Sequence, residues 1–296
     1  ALIEGAIEGY VSGLNDVYSE YLTVDEMSQF TQDAEGEYVG IGVYITKDTE
    51  NNEIVVYGTM ANSPAKEAGL QTGDIIISID GEECNGDDYD NITEKIKGKE
   101  GTTVVIGILR DNQEQTLEIE RRHIEVEYVT SQVLENNIGY IYISSFEGNV
   151  ASQFEKAYND LANQNISSLI IDVRNNGGGI VKSTKTKEID LPIVLLVNEY
   201  SASASEILAG ILKDNVENAT LVGNTTYGKG VIQTLYPLYD NSGIKITTDE
   251  YFTPNHNEIN KIGIEPDIKV DDYTFNGNLD LEKDTQLQKA IEVLKD

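Results

Sequence analysis

Ser201-Ala-Ser-Ala-Ser-Glu206 is followed, one helix and one strand later, by Tyr227-Gly-Lys-Gly-Val-Ile-Gln233, and the rest of the chain is organised around these two runs. Ile207, Leu208, Ile211 and Leu212 fall on one apolar helical stripe. Ser203 with Glu206 three residues on is a capping-box pair, so the spacing predicts a helix starting at Ser203. The apolar run Leu195-Leu-Val197 ahead of it reads as a strand, which makes the unit strand, turn, helix. A serine at a helix N-terminus faces unpaired N–H groups and the positive end of the dipole. That environment suits an oxyanion as well as a cap.

Thr220-Leu-Val-Gly223 reads as a short strand and Asn224 to Gly228 as a polar loop. Lys229, Val231 and Gln233 then share one face of an extended segment, because strand side chains alternate. A nucleophilic serine needs a base, and the chain has only two histidines, His123 and His256, neither near a comparable turn. A lysine serves if it is neutral. Bringing its pKa from about 10.4 to near 7 takes about 3 units of differential stabilisation, which desolvation in an apolar pocket supplies. Gln233 would then direct the amine without adding charge. On the residues alone two readings stand: a Ser203–Lys229 dyad, or an N-cap serine and a strand-edge lysine.

The run Asn198 to Gly210 together with Tyr227 to Gln233 closely resembles the carboxyl-terminal processing peptidases of the S41 class. That resemblance implies Ser203 as nucleophile, Lys229 as base and Gln233 as the residue orienting the lysine. Ser201 and Ser205 are the competing serines, and only the family pattern selects the middle one. Arg174-Asn-Asn-Gly-Gly-Gly179, after the apolar strand Leu169 to Val173, resembles the family's oxyanion loop with Gly177 where proline usually stands. The implied oxyanion donors are the N–H groups of Gly178, with Gly177 as the runner-up, and of Ala204.

Residues 36–121 resemble a PDZ domain. Tyr38 to Ile45 mixes glycines with alternating apolar residues, Ser63-Pro-Ala-Lys-Glu-Ala-Gly69 reads as a short capped helix, and Asp80-Gly81 is a hairpin signal. PDZ domains add a peptide to a sheet edge and capture its terminal carboxylate on backbone N–H groups. Gly40, Ile41 and Gly42 are the matching loop, and the segment Tyr89 to Ile96 the opposite wall. Arg121 falls at the end of this unit, at the domain junction, either tying the domains together or standing as a solvated charge.

Residues 1–35 read as a helical arm, helical to about residue 30, with Leu2, Ile3, Ile7 and Tyr10 on a stripe that Leu14, Tyr18 and Leu22 continue with breaks, and Thr23 with Glu26 as a second capping box. The arm would serve for homodimerisation or for packing on its own domain. Residues 122–296 read as an α/β serine protease core with a central sheet and flanking helices, interrupted by the inserted PDZ domain. A lysine-rich connector at 180–190 stands where the family carries a helix and a strand, so a segment there is expected to be deleted or missing. Asp284 to Ala290 opens a C-terminal helix, and the carboxylates of this last part of the chain read as solvated.

The net charge of −31, from 52 acidic and 21 basic residues, argues against nucleic acid and anionic lipid as partners. A single cysteine, Cys84, excludes an internal disulfide. No apolar run is long enough to span a bilayer, and no His, Cys or carboxylate cluster has metal-ligand spacing. No metal, cofactor or membrane contact is therefore expected. The resemblance implies an endopeptidase acting on proteins or peptides with a free C-terminus, in an extracytoplasmic compartment, with an export signal expected ahead of Ala1. The other class of reading is a PDZ-bearing scaffold with a catalytically silent, hydrolase-like core.

Overall fold

The computed structural model of the chain describes residues 2–35, 37–179, 189–271, 275, 277 and 279–295. The chain divides into two compact units: Ala1–Glu35 with Glu127–Asp296, and Gly36–Val126. The connector expected to be shortened, 180–188, lies outside the described residues.

The N-terminal segment is not one long helical stretch. Helix α1 (Leu2–Ser12) is followed by a short strand, β1 (Glu20–Leu22), and helix α2 (Val24–Glu35). Asn15 takes a left-handed φ of 54° and interrupts the helical pattern. The Asp16 carboxylate then accepts the Tyr18 N–H at 3.4 Å and the Ser19 hydroxyl, making a side-chain-stabilised turn. Leu22, expected on the helical stripe, is buried from a strand instead, while Leu2, Ile3 and Tyr10 of that stripe are exposed. The capping box at Thr23 and Glu26 forms: Glu26 accepts the Thr23 N–H at 2.8 Å, and Thr23 Oγ1 accepts the Glu26 N–H at 3.3 Å.

The unit Gly36–Val126 contains strands β2 (Glu37–Gly40), β3 (Val43–Asp48), β4 (Glu53–Thr59), β5 (Ile75–Ile79), β6 (Glu82–Glu83), β7 (Thr103–Arg110), β8 (Gln113–Glu120) and β9 (Arg122–Glu125), with helices α3 (Pro64–Glu67) and α4 (Tyr89–Ile96). Its main sheet runs β3-β4-β5-β7-β8 with β6 on β5, and β2 pairs with β9 in a separate ribbon. Alternation puts Ile54, Val56, Ile76, Val104, Ile106 and Ile108 into one core, which Ile41 and Ile92 complete. Partly buried Cys84 packs against it. The expected cap at Ser63 forms, its Oγ accepting the Lys66 N–H at 3.3 Å. Asp80 and Gly81, at φ 51° and 83°, make the two-residue hairpin turn between β5 and β6.

The larger unit is built on a six-stranded sheet in the order β10-β11-β12-β13-β14-β17. These are β10 (Val129–Val133), β11 (Ile138–Ile143), β12 (Ser168–Asp172), β13 (Ile193–Val197), β14 (Ala219–Gly223) and β17 (Ile268–Lys269). Only the β10–β11 pair is antiparallel. Every residue of β12 and β13 is buried, as expected for parallel strands covered on both faces. Helices α5 (Val150–Ala162), α6 (Ala204–Asn215) and α7 (Thr285–Val293) accompany the sheet, with Leu287 and Ala290 of α7 in its core. A second sheet, ordered β1-β16-β15, joins the N-terminal strand to β15 (Val231–Pro237) and β16 (Gly243–Glu250). Among the described residues no helix is long and apolar enough to cross a membrane.

Candidate active site

Neighbouring parallel strands β12 and β13 deliver their following loops to the same edge of the sheet, where open α/β folds place their sites. After β13 the chain turns through Asn198 and enters α6 at Ser203. Three serines lie on this turn, and their environments differ sharply. Ser201 is fully buried, and its Oγ donates to the Val173 carbonyl at 2.8 Å while accepting the Asn198 N–H at 3.0 Å. Ser205 is also fully buried and donates to the Asn176 carbonyl at 2.9 Å. Ser203 lies between them, partly exposed, at φ 53° and ψ −111°. That backbone is costly for a residue with a Cβ and marks a sharp strand-to-helix turn of the kind that presents a nucleophile. Its carbonyl accepts the N–H groups of Glu206 at 2.9 Å and Ile207 at 3.0 Å, starting the helix.

Glu206 does more than cap. Its carboxylate is fully buried and takes four donors. Oε2 accepts the backbone N–H of Ser203 and that of Lys229, both at 2.9 Å. Oε1 accepts the Gly228 N–H and the Thr226 hydroxyl, both at 2.7 Å. Tyr251 adds a second bridge, its hydroxyl lying 2.5 Å from the Lys229 carbonyl and 3.1 Å from the Ser203 carbonyl. The two sequence motifs are thus joined through their backbones.

Lys229 is half-buried, and burial lowers its pKa from the usual lysine value; Lys245 adds to this and Glu206 opposes it. Its Nζ stands 4.8 Å from the centroid of the Tyr18 ring. Gly230 allows the Asn260 backbone to approach, since a Cβ there would come within 2.8 Å of the Asn260 Cα. Gln233 lies on β15 just past a bulge, and its Nε2 donates to Thr247 Oγ1 on β16 at 3.2 Å.

The loop after β12 packs on the serine turn through Gly178, at φ +104°. A Cβ there would meet the Ser203 Cβ at 2.7 Å and the Ala204 nitrogen at 2.9 Å. The Gly178 N–H, expected to be an oxyanion donor, donates to Asn176 Oδ1 at 2.9 Å. Asn176 is itself buried and donates to the Ile143 carbonyl at 2.8 Å. Ala204 sits buried at the first position of α6, where helix N–H groups lack intrahelical acceptors. Sequence reasoning missed the group beneath this loop. Arg174, fully buried, binds Asp172 through Nε and Nη2 and Asp284 through Nη1 and Nη2, at 2.6–3.1 Å. Gln286 accepts from it at 3.2 Å, and the Phe275 ring lies 4.0 Å away. Asp284 is therefore a buried N-cap of α7 and not a solvated carboxylate. The excess of acid in this chain hides such a pair in composition, and only the fold shows which carboxylates meet the arginine.

In the smaller unit, Tyr38, Gly42, Val43, Ile45, Thr93, Ile96 and Lys97 line a groove between β3 and α4. Of the loop Gly40-Ile41-Gly42, Gly42 lines it, while the Ile41 side chain is buried in the core. The Ile41 and Gly42 N–H groups donate to no protein acceptor among the described residues. Arg121 is buried and not solvated. It donates to the carbonyls of Lys95, Ile96 and Thr103 and to Thr102 Oγ1, at 2.6–3.1 Å, all within its own unit.

A strand–turn–helix serine whose backbone is joined through Glu206 to that of a half-buried lysine, on a parallel α/β sheet, is the architecture of a hydrolase core. The family comparisons narrow this. Peptidase family S41 matches residues 137–186 and 181–270, and the PDZ domain family matches residues 38–120. The carboxy-terminal processing protease CtpB of Bacillus subtilis is 36% identical over 99% of this chain and 68% of its own length. The carboxyl-terminal-processing protease of a Synechocystis species is 33% identical over 98% of this chain and 76% of its own. A solved photosystem II D1 C-terminal processing protease superposes with a TM-score of 0.50 at 28% identity, covering 90% of this chain and 81% of that one. The chain belongs to peptidase family S41 and carries a PDZ domain. It spans 60% of the length of a probable CtpA-like serine protease of Staphylococcus haemolyticus, to which it is 34% identical.

Proposed function

We propose that this chain is a serine endopeptidase that processes protein C-termini with Ser203 as nucleophile and Lys229 as general base. The observation that carries the reading is the contrast among the three serines. Ser201 and Ser205 are buried and hydrogen-bonded, whereas Ser203 is partly exposed, strained, and tied to the lysine loop through Glu206.

The neutral Lys229 amine takes the Ser203 hydroxyl proton as Oγ bonds the scissile carbonyl carbon. The same proton passes to the leaving amine as the peptide C–N bond breaks, leaving an acyl ester on Ser203. Water then attacks that ester, Lys229 taking its proton and returning it to Ser203. The Ala204 N–H, at the positive end of α6, stabilises the developing oxyanion. Gly178 joins it only when a substrate oxygen replaces Asn176 Oδ1 as acceptor. Gln233, on the ribbon that follows the lysine, would direct the amine.

The PDZ domain, residues 36–121, would capture substrate C-termini, the carboxylate on the N–H groups of Gly40-Ile41-Gly42 and the apolar terminal side chain in the groove beside Val43 and Ile45. Arg121 braces the end of α4 that forms one wall of this groove. The resemblance favours an extracytoplasmic location, and the exposed Leu2, Ile3 and Tyr10 of α1 favour a homodimer through the N-terminal helices.

Ser203→Ala and Lys229→Ala are each expected to lower kcat/KM on a tailed protein substrate by more than about 1,000-fold, with unchanged circular dichroism. Near-parental turnover in either variant would refute the dyad.

A further inference from the structure

The Asp16-Val-Tyr-Ser19 turn lies far from the dyad in sequence yet borders it in space. Strand β1 pairs with β16, Glu20 opposite Lys245, and those two side chains form an ion pair. The Ser19 Oγ accepts the Thr247 N–H at 3.1 Å, and Thr247 in turn accepts from Gln233. This docking sets the Tyr18 ring over Lys229, with its centroid 4.8 Å from Nζ.

We propose that Tyr18 is a positioning residue of the active site, whose ring shields the Lys229 amine from water and aims it. The proposal rests on the reading of Lys229 as base. Two effects of the ring oppose each other. Its π face attracts an ammonium, whereas its bulk removes the water that an ammonium requires. The charged and titratable neighbours of Lys229 sort the outcome. Glu206 favours the protonated amine, and Lys245 disfavours it. The phenol of Tyr18 is pushed above its usual value by burial and by the adjoining Tyr227, and that of Tyr251 by burial and Glu206. Both phenols therefore stay neutral while the lysine titrates. Burial is the largest influence on Lys229 and lowers its pKa, and the Tyr18 ring, 4.8 Å from Nζ, is part of what covers the amine.

The direct test is competitive labelling of lysine amines across a pH series, read by mass spectrometry at the Lys229 peptide, in a Ser203→Ala background. Tyr18→Ala is expected to raise the Lys229 pKa by about one unit, since water then reaches the amine. In the protein with Ser203 intact, the acid limb of kcat/KM moves up by the same amount, a tenfold loss on that limb that higher pH recovers. Tyr18→Gln, which keeps bulk but brings a hydrated group, shifts both in the same direction and serves if the alanine variant melts. Tyr18→Phe restores the parental labelling pKa. An unchanged Lys229 labelling pKa in Tyr18→Ala or Tyr18→Gln, or a loss of activity that is equal at all pH values, overturns the proposal. Failure of the dyad itself shows elsewhere, as turnover by Ser203→Ala or Lys229→Ala, and leaves the labelling result intact.

Discussion

Glu206 Oε2 accepts the backbone N–H of Lys229 at 2.9 Å across 23 residues of chain. The same oxygen accepts the Ser203 N–H at 2.9 Å, so one buried atom fixes the spacing between the two motif backbones. Replacing Glu206 by glutamine keeps the volume but turns an amide toward N–H donors that need an acceptor. Each buried donor left unpaired costs about 1–3 kcal/mol. Glu206→Gln is expected to lose about 2–4 kcal/mol in urea unfolding and at least about 100-fold in kcat/KM. A folded variant with parental kcat/KM would remove Glu206 from the positioning of the dyad.

Gly178 and Gly177 form a matched pair for a second prediction. A methyl at Gly178 collides with Ser203 Cβ and sits on a φ of +104°, whereas one at Gly177 meets nothing within 4 Å. Gly178→Ala should cost about 1–3 kcal/mol by crowding and strain and should displace the serine. Gly177→Ala should stay within about 0.5 kcal/mol of the parent. Thermal melts and single-turnover acylation rates of both variants would check this, and equal behaviour would contradict the packing described.

The Arg174 group offers a third. Arg174→Met leaves Asp172 and Asp284 buried without their cation, which costs about 3–5 kcal/mol. Asp284 also caps α7 through the Leu287 N–H at 3.0 Å, so loss of the arginine should loosen that helix first. Hydrogen exchange at the α7 amides, faster in the variant than at β13, is the expected result.

The PDZ domain carries its own pH signature. The side chain of Asp74 is 1% exposed and accepts Arg110 Nε and Nη2 at 2.6 Å each and the Gln71 N–H at 2.8 Å. Burial alone would raise its pKa, but these donors prevail and hold it below the usual carboxylate range. A carboxyl whose folded pKa is depressed contributes stability above its unfolded value, near 3.9, and loses it as pH falls through the folded value. The expected result is an acid-side drop in PDZ melting temperature starting below about pH 4, absent in Asp74→Asn, which is already less stable at pH 7. Parallel acid profiles for the two proteins would show that this pair does not set the acid limit.

Much of this protein was legible in one dimension because the relevant physics is local. The strand–turn–helix around Ser203, the capping box at Thr23, the cap at Ser63, the Asp80-Gly81 hairpin and the buried runs of β12 and β13 all follow from side chains acting on backbone a few residues away. Specific motif spacing identified the family as well. What tertiary structure decided was everything that depends on which distant groups share a low-dielectric site. Periodicity carried the N-terminal helix past Asn15, but pairing with β16 made residues 20–22 a strand. A capping glutamate and a buried clamp for Lys229 read alike in sequence, as do a solvated Asp284 and one bound to Arg174, because burial is a property of the packed chain. The placement of Tyr18 over the lysine belongs to the same class: the free energy that sets an amine's protonation comes from whatever excludes water from it, and that neighbour arrives more than 200 residues earlier in the chain.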